Sequence, residues 1–253
     1  MVATFALLIV YKAAGRLPIH PKIYYGFIAL LPLLAFYNES RAFWVALAVP
    51  VVGAVALFKM DGLRGLRSSL FIIAIGLSTV LTLNHFNLLH RSSVAHHRVF
   101  TQETLLGSQT LYPGDVQRLR VLSDSLEFWK KHPIEGIGLG SFLHLQNQKY
   151  ADSPPNIQFS IIDSTPLWVL TELGLIGIVL MGGFYVVSLY TLNRSGSGQT
   201  DMATLRRGVL LILLAFAAMS LFHELLYTRF IWFFLGLALA VSREELERVR
   251  ANP

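Results

Sequence analysis

Long apolar runs separated by short charged stretches set the reading of this chain. Met1–Tyr11, Ile23–Tyr37, Ala42–Phe58, Ser68–Leu83, Pro166–Leu192, Gly208–Phe222 and Phe230–Val241 hold almost no charge. Most are about 15–17 residues, ~22–26 Å as helix against a hydrocarbon core of ~30 Å, so the helices are expected to extend into their flanks. The run from Pro166 is the exception, long enough to cross with tilt or a kink. Gly174, Gly177, Gly182 and Gly183 lie along it and would permit close helix packing. The expected fold is all-α: a polytopic integral membrane protein of about seven spans. Residues 1–83 would hold the first four spans and 166–242 the last three, with 84–165 as one large loop subdomain and 243–253 as a tail.

The polar segment 84–165 carries its own pattern. A helix is expected from Asp115 as N-cap, with Leu119, Leu122, Leu126 and Trp129 on one stripe. That stripe could lie flat on a membrane face, with Trp129 among the headgroups. Lys130, Lys131 and His132 suit its C-terminal end through the helix dipole, and Pro133 stops it. Arg118 and Arg120 fall in its first turn, where cations are mildly unfavourable; they are either a solvated pair or held by a partner outside the helix. Gly136, Gly138 and Gly140 then read as a turn needing positive φ or close backbone approach. Their GxGxG spacing follows no expected strand, so it is a weak nucleotide motif. Ser153-Pro154-Pro155-Asn156 is loop punctuation. Asp163 or Ser164 is expected to cap the long helix, with Pro166 inside its first turn.

Composition agrees with a membrane protein: the 253 residues are 54% hydrophobic and only 14% charged, where a soluble domain has about a quarter charged. The formal charge of +6 does not point to nucleic acid, because the basic residues sit in short stretches between apolar runs. Lys12, Arg16 and Lys22, then Lys59, Arg64 and Arg67, then Arg194, Arg206 and Arg207, and finally Arg243, Arg248 and Arg250 account for 12 of the 21 Lys and Arg. These stretches alternate with Asn38–Arg41, the segment 84–165 and His223–Arg229. The positive-inside rule puts the first set in the cytoplasm and the second outside, with the C-terminus inside. The start, MVATFALLIVYK, lacks the basic region and cleavage site of a signal peptide. There is no Cys, so disulfides and thiol catalysis are excluded. His85, His90, His96 and His97 show no diagnostic ligand spacing, and no metal or other cofactor is expected.

Two further charges stand out. Arg41 lies between two apolar runs at the expected outer surface; its planar fork suits phosphate oxygens, though any interfacial Arg can also snorkel to headgroups. Glu172 lies within two turns of the start of the long helix, where it should face protein, water or headgroups. His223, Glu224 and Arg229 fall at the same outer level.

HPIEGIGLGSF, a polar stretch and then LWVLTELGLIG resemble the O-antigen ligase and polysaccharide polymerase superfamily, the Wzy_C type of domain. Pro133, Gly136, Gly138, Gly140 and Phe142 match its P-x-x-G-x-G-x-G-x-F element. Leu167, Glu172, Gly174, Leu175 and Gly177 match the segment that follows. SRAFWVAL resembles the family's arginine-bearing helix start and places Arg41 there, while RLRVLSDSLEFWKKHP places Arg118 on a second arginine. The likeness runs from about Ala29 to Leu192. With fewer spans than the family usually has, the chain reads as an N-terminally short member. At the position of the family's loop histidine, nine residues before Glu172, this sequence has Asp163.

The resemblance implies a GT-C-like inverting glycosyltransferase in the bacterial inner membrane that needs no cofactor. It would take glycan from undecaprenyl diphosphate at the periplasmic face and pass it to a hydroxyl of lipid A-core, a growing glycan or a protein. Arg41, Arg118 and, as a weaker candidate, Arg229 would hold the diphosphate. Glu172 would sit at the substrate side, and Asp163 would orient or deprotonate the acceptor. Two other classes stay open. An accessory membrane protein would bind lipid-linked glycan without turnover. A transporter would need ionisable groups near the midplane, for which Glu172 is the one intramembrane candidate.

Overall fold

The computed structural model describes residues 2–17, 19–37, 41–85, 113–151, 161–194 and 201–251. His90, His96, His97 and the Ser153–Asn156 punctuation lie outside them. All regular structure among the described residues is helical: α1 (Val2–Ala13), α2 (Pro21–Tyr37), α3 (Arg41–His85), α4 (Pro113–Lys131), α5 (Ser141–Lys149), α6 (Thr165–Gly177), α7 (Gly183–Arg194), α8 (Asp201–Ser220) and α9 (Arg229–Ala251), with a π-helical turn, Ile178–Gly182, between α6 and α7. The chain divides into two compact units, residues 1–89 with 184–253, and residues 90–183. The second unit therefore takes in the start of the long apolar helix as well as most of the polar segment.

In the first unit, Val2, Ala46 and Ala215 form a small buried cluster. It joins the starts of α1 and α3 to the end of α8. Further along, Phe5, Ile9 and Val10 share a core with Ala54, Leu66, Tyr24 and Leu211. A Cβ on Gly53 would strike Leu211, so α8 runs against α3. The Tyr24 hydroxyl lies 2.7 Å from Ser69 Oγ, and a Cβ on Gly76 would stand 2.9 Å from Pro32. Helices α1 and α2 thus lie along successive parts of α3, both in its direction.

This departs from the expected hairpins. Ala42–Phe58 and Ser68–Leu83 were to be two spans joined by a basic loop; they are one 45-residue helix, ~68 Å long. The stretch Lys59–Arg67 has no proline and two glycines, each costing only about 1 kcal/mol in a helix. Basic side chains select a side of the bilayer but do not break a helix. Arg41 and His85 consequently stand at opposite ends of α3, not at one outer level. Two helical runs among the described residues are long and apolar enough to cross a membrane: Thr165–Asn193, of 29 residues, and Asp201–Ser220, of 20.

Candidate functional site

The second unit is built on α4. Its inward face is Val121, Asp124, Ser125 and Phe128, all buried, at helical spacing. Val121 and Phe128 form a core with Phe142 of α5 and Ile162, against which Ile137, Leu145, Leu167 and Trp168 pack. The Phe128 and Phe142 rings meet edge to face at 5.9 Å. The stripe read from the sequence is the outward one: Leu119 and Leu122 are 46% and 42% exposed. Helix α4 is apolar on two faces, and the packed one is disguised by its two polar residues. The helix also begins at Pro113, two residues before Asp115, with proline in the first turn where its missing N–H costs nothing.

Asp124 is 1% exposed, and its carboxylate is fully engaged. Lys149 Nζ approaches one oxygen at 2.7 Å and Tyr150 Oη donates to it at 3.0 Å. Gln146 Nε2 donates to the other at 3.2 Å. A buried charge survives only with such partners. Burial disfavours the Lys149 ammonium, but its hydrogen bonds to Asp124 and Glu127 outweigh that and hold its pKa above the ordinary lysine range. Burial and the Asp124 charge push the Tyr150 hydroxyl up. The Arg120 guanidinium lies 5.7 Å from the Tyr150 ring centre. This cluster fastens α5 to α4.

The glycine turn follows α4. Gly136, Gly138 and Gly140 all have positive φ, 74°, 94° and 75°, as their spacing predicts. The turn is spliced into α6 where Gly174 (φ 65°, ψ −159°) breaks the helix. In an unbroken helix Leu175 N–H would bond to Thr171 and Ile176 N–H to Glu172. Here Leu175 and Ile176 donate to Pro133 and Ile134, while the carbonyls of Thr171 and Glu172 accept from Ile137 and Gly138, at 3.0–3.2 Å. The break frees two donors and two acceptors, and the turn satisfies all four. A Cβ on Gly174 would lie 2.2 Å from the Ile134 carbonyl oxygen.

Glu172 completes the splice. It is 3% exposed, and its carboxylate accepts from Gly140 N–H at 2.8 Å and Phe142 N–H at 3.4 Å. Helix α5 has no side-chain cap of its own at Gly140; Glu172 supplies an anionic one from α6. The intramembrane carboxylate read as a substrate-side or transporter candidate therefore faces protein. Gly182 and Gly183 have open space around them and Gly177 is crowded by Leu173 and Val169 of its own helix; of these four glycines, Gly174 is the one against which another element packs closely.

At the other end of the α4–α6 pair stand the two charges singled out from the sequence. Arg118 Nε lies 3.6 Å from Asp163 Oδ2, with both side chains about half exposed. Asp163 is not the helix cap; Ser164 takes that place with extended backbone, and Pro166 follows in the first turn. Arg118 thus has the external partner its position in α4 called for. Arg41 and Arg229 belong to the first unit. The cluster of Val2, Ala46, Ala215 and Met219 brings the start of α3 to the end of α8, and α9 begins just beyond, so both arginines lie at one end of that unit. The five expected site residues are therefore divided: Arg118, Asp163 and Glu172 in one unit, Arg41 and Arg229 in the other. Sequence reasoning passed over Asp124 and Lys149, which Asp-x-x-Glu beside a distant Lys does not distinguish from a solvated face. Among the described residues no group of three potential metal ligands occurs.

The Wzy_C family model, O-antigen ligase, matches residues 2–182. The chain belongs to that family. O-antigen ligase family proteins are membrane-integral in the bacterial inner membrane and are ligase- or polymerase-type enzymes of polysaccharide biosynthesis that act on lipid-linked glycan and an acceptor. No curated protein and no solved structure matches the chain. The match takes in the glycine turn, α4 and α6, so the spliced architecture lies within the family's own segment.

Proposed function

We propose that this O-antigen ligase family protein transfers glycan from undecaprenyl diphosphate to an acceptor hydroxyl at the periplasmic face. The acceptor oxygen attacks the anomeric carbon, the bond to the diphosphate breaks with inversion, and the lipid diphosphate leaves. Asp163 stands where the family has its loop histidine. It takes the acceptor's proton as general base or orients the hydroxyl for attack. Arg118 fixes the direction of that carboxylate. Arg41 and Arg229 hold the diphosphate and offset the charge it gains as it leaves. Glu172 acts through the turn it caps and is a positioning residue.

The observation that carries this reading is the Arg118–Asp163 pair. Two charges brought together from separate elements on an exposed surface contribute under about 1 kcal/mol to stability, so stability alone does not account for them. The test is glycan profiling of a deletion strain complemented with wild type, Asp163→Asn or Arg118→Ala. Loss of polymer or of glycan-capped acceptor in both variants, with unfolding midpoints within ~2–4 °C of wild type, is the expected result. Full activity in Asp163→Asn would instead give Asp163 a binding or structural role and remove it as the general base, and an unchanged glycan profile in the deletion strain itself would point to a protein that binds lipid-linked glycan without turnover.

A further inference from the structure

Side-chain exposure along the long helix changes at Gly174. From Leu167 to Leu173 the apolar side chains are buried or half-buried in the second unit. From Leu175 onward they turn outward: Leu175, Ile176, Val179 and Leu180 are 47–70% exposed. The helical run of 29 residues, Thr165–Asn193, is ~43 Å long, about 13 Å more than a hydrocarbon core. Counted from Leu175 to the basic Arg194 it is about 20 residues and ~30 Å, the thickness of that core.

The charges agree with the shorter count. Helix α4 runs beside α6 in the same sense, with Arg118 against Asp163 and Pro133 bonded to Leu175. Were the bilayer to begin at Thr165, it would enclose Asp124, Glu127, Lys130, Lys131, His132 and Glu135, each costly in hydrocarbon. With the boundary at Gly174 all of them stand outside it. The residues of the glycine turn at that level are apolar and outward. Ile134, whose carbonyl bonds to Ile176, is 59% exposed, and Leu139 is 66% exposed. Beside them lie the Trp129 indole, with its N–H on the Pro133 carbonyl at 3.2 Å, and the exposed Lys130 and Lys131. Apolar tips beside an indole and ammonium groups are the composition of a membrane interface.

We propose that the bilayer boundary crosses this unit at Gly174 and that the glycine turn is an interfacial anchor on the lipid surface. Ile134 and Leu139 reach the acyl boundary, Trp129 lies among the headgroups, and Lys130 meets lipid phosphates, with Lys131 held to Glu127 at 3.3 Å beside it. The first ten residues of α6 are extramembrane scaffold. The inference rests on the chain being membrane-integral and not on the transfer reaction. A consequence that does rest on the transferase reading concerns the reacting groups. Asp163 and Arg118 stand ~15 Å out from the boundary along α6, level with sugar and acceptor and beyond a headgroup-level diphosphate.

The cysteine-free sequence permits single-cysteine spin labels at Pro166, Ile134, Leu139 and Val179 in protein reconstituted into liposomes. Accessibility to oxygen, which partitions into lipid, is compared with that to a water-soluble nickel chelate. Nickel should dominate at Pro166, oxygen at Val179, with Ile134 and Leu139 at the crossover. Nickel dominance at Ile134 and Leu139 equal to that at Pro166, or oxygen dominance at Pro166, overturns the proposal. Should a turn variant fail to fold, the native chain decides: lipids brominated near the headgroup should quench Trp129 more than chain-end bromines do, scored as the difference from Trp129→Phe. Equal quenching at both depths overturns it. A transfer-inactive protein with the expected depth profile sinks the transferase reading alone.

Discussion

Gly174→Ala tests the splice between the glycine turn and α6 most directly. Gly174 sits at φ 65°, ψ −159°, a region essentially reserved for glycine, where a side chain costs about 1–3 kcal/mol. The added Cβ would also stand 2.2 Å from the Ile134 carbonyl oxygen and 2.6 Å from Gly136 N. Both are backbone atoms, so the turn itself must withdraw. Losing even two of the four turn-to-helix hydrogen bonds adds about 1–3 kcal/mol. The sum is ~2–6 kcal/mol, a fall in melting temperature on the order of 10 °C for a protein of this size. Gly183→Ala is the matched control. Its φ of −58° is helical and nothing lies within 4 Å of its Cβ position, so it should be neutral or stabilising by up to ~1 kcal/mol. The assay is thermal unfolding of purified protein in detergent, with glycan profiling beside it. Equal melting temperatures for the two variants would refute the reasoning, because they share one helical run and differ only in backbone region and clearance.

Glu172→Ala should cost about 2–4 kcal/mol, since the Gly140 and Phe142 N–H groups lose their acceptor; Glu172→Gln should cost less, keeping one oxygen in place. Amide exchange at those two residues reports it. Lys149→Met should destabilise by about 3–5 kcal/mol by leaving the Asp124 charge short of its cation, and Asp124→Asn should relieve much of that in the double variant. Hydrogen bonds from Lys149 and then Lys131 hold the Glu127 carboxyl below its ordinary pKa of 4.5. A depressed carboxylate contributes stability above the unfolded-state value and loses it as pH falls through the folded one. The melting difference between wild type and Glu127→Gln should therefore be present at pH 6 and vanish well below pH 4.5; a difference that persists in acid would sink this account.

Local backbone chemistry was the most legible part of the chain. Three glycines at alternate positions announced a positive-φ turn, and Pro166 marked the first turn of α6, because these signals depend on one residue's own conformational map. Packing faces were less legible. On α4 the Leu119–Trp129 stripe is the more apolar by composition, yet Val121 and Phe128 are the residues that pack. The Asp124 between them is affordable only through Lys149, Tyr150 and Gln146, which lie more than twenty residues on. The role of Glu172 was hidden for the same reason: its partners are backbone groups of a turn some thirty residues earlier, and backbone amides leave no mark in a sequence. The continuity of α3 was misread because the expected break rested on charge alone, and charge sets sidedness without ending a helix.

The second unit keeps its structural and its reactive charges apart. Asp124 and Glu172 are buried, Lys149 reaches Asp124 from a partly exposed position, and each is matched to partners that use its oxygens or protons; they fasten one element to another: α5 to α4, and the glycine turn to α6. Those fastenings lie in the middle and at the Gly174 end. Arg118 and Asp163 sit at the opposite end, half exposed, with a separation of 3.6 Å that is long for a charge-assisted hydrogen bond. A pair so loosely closed and so open to solvent admits a third group between or beside its charges at little cost. The buried cluster and the splice hold α4 in register with α6, and that register keeps an arginine in the first turns of one helix facing a carboxylate just ahead of the other. Rigidity is thus placed away from the charges that must meet a substrate, and those charges are left free to exchange partners.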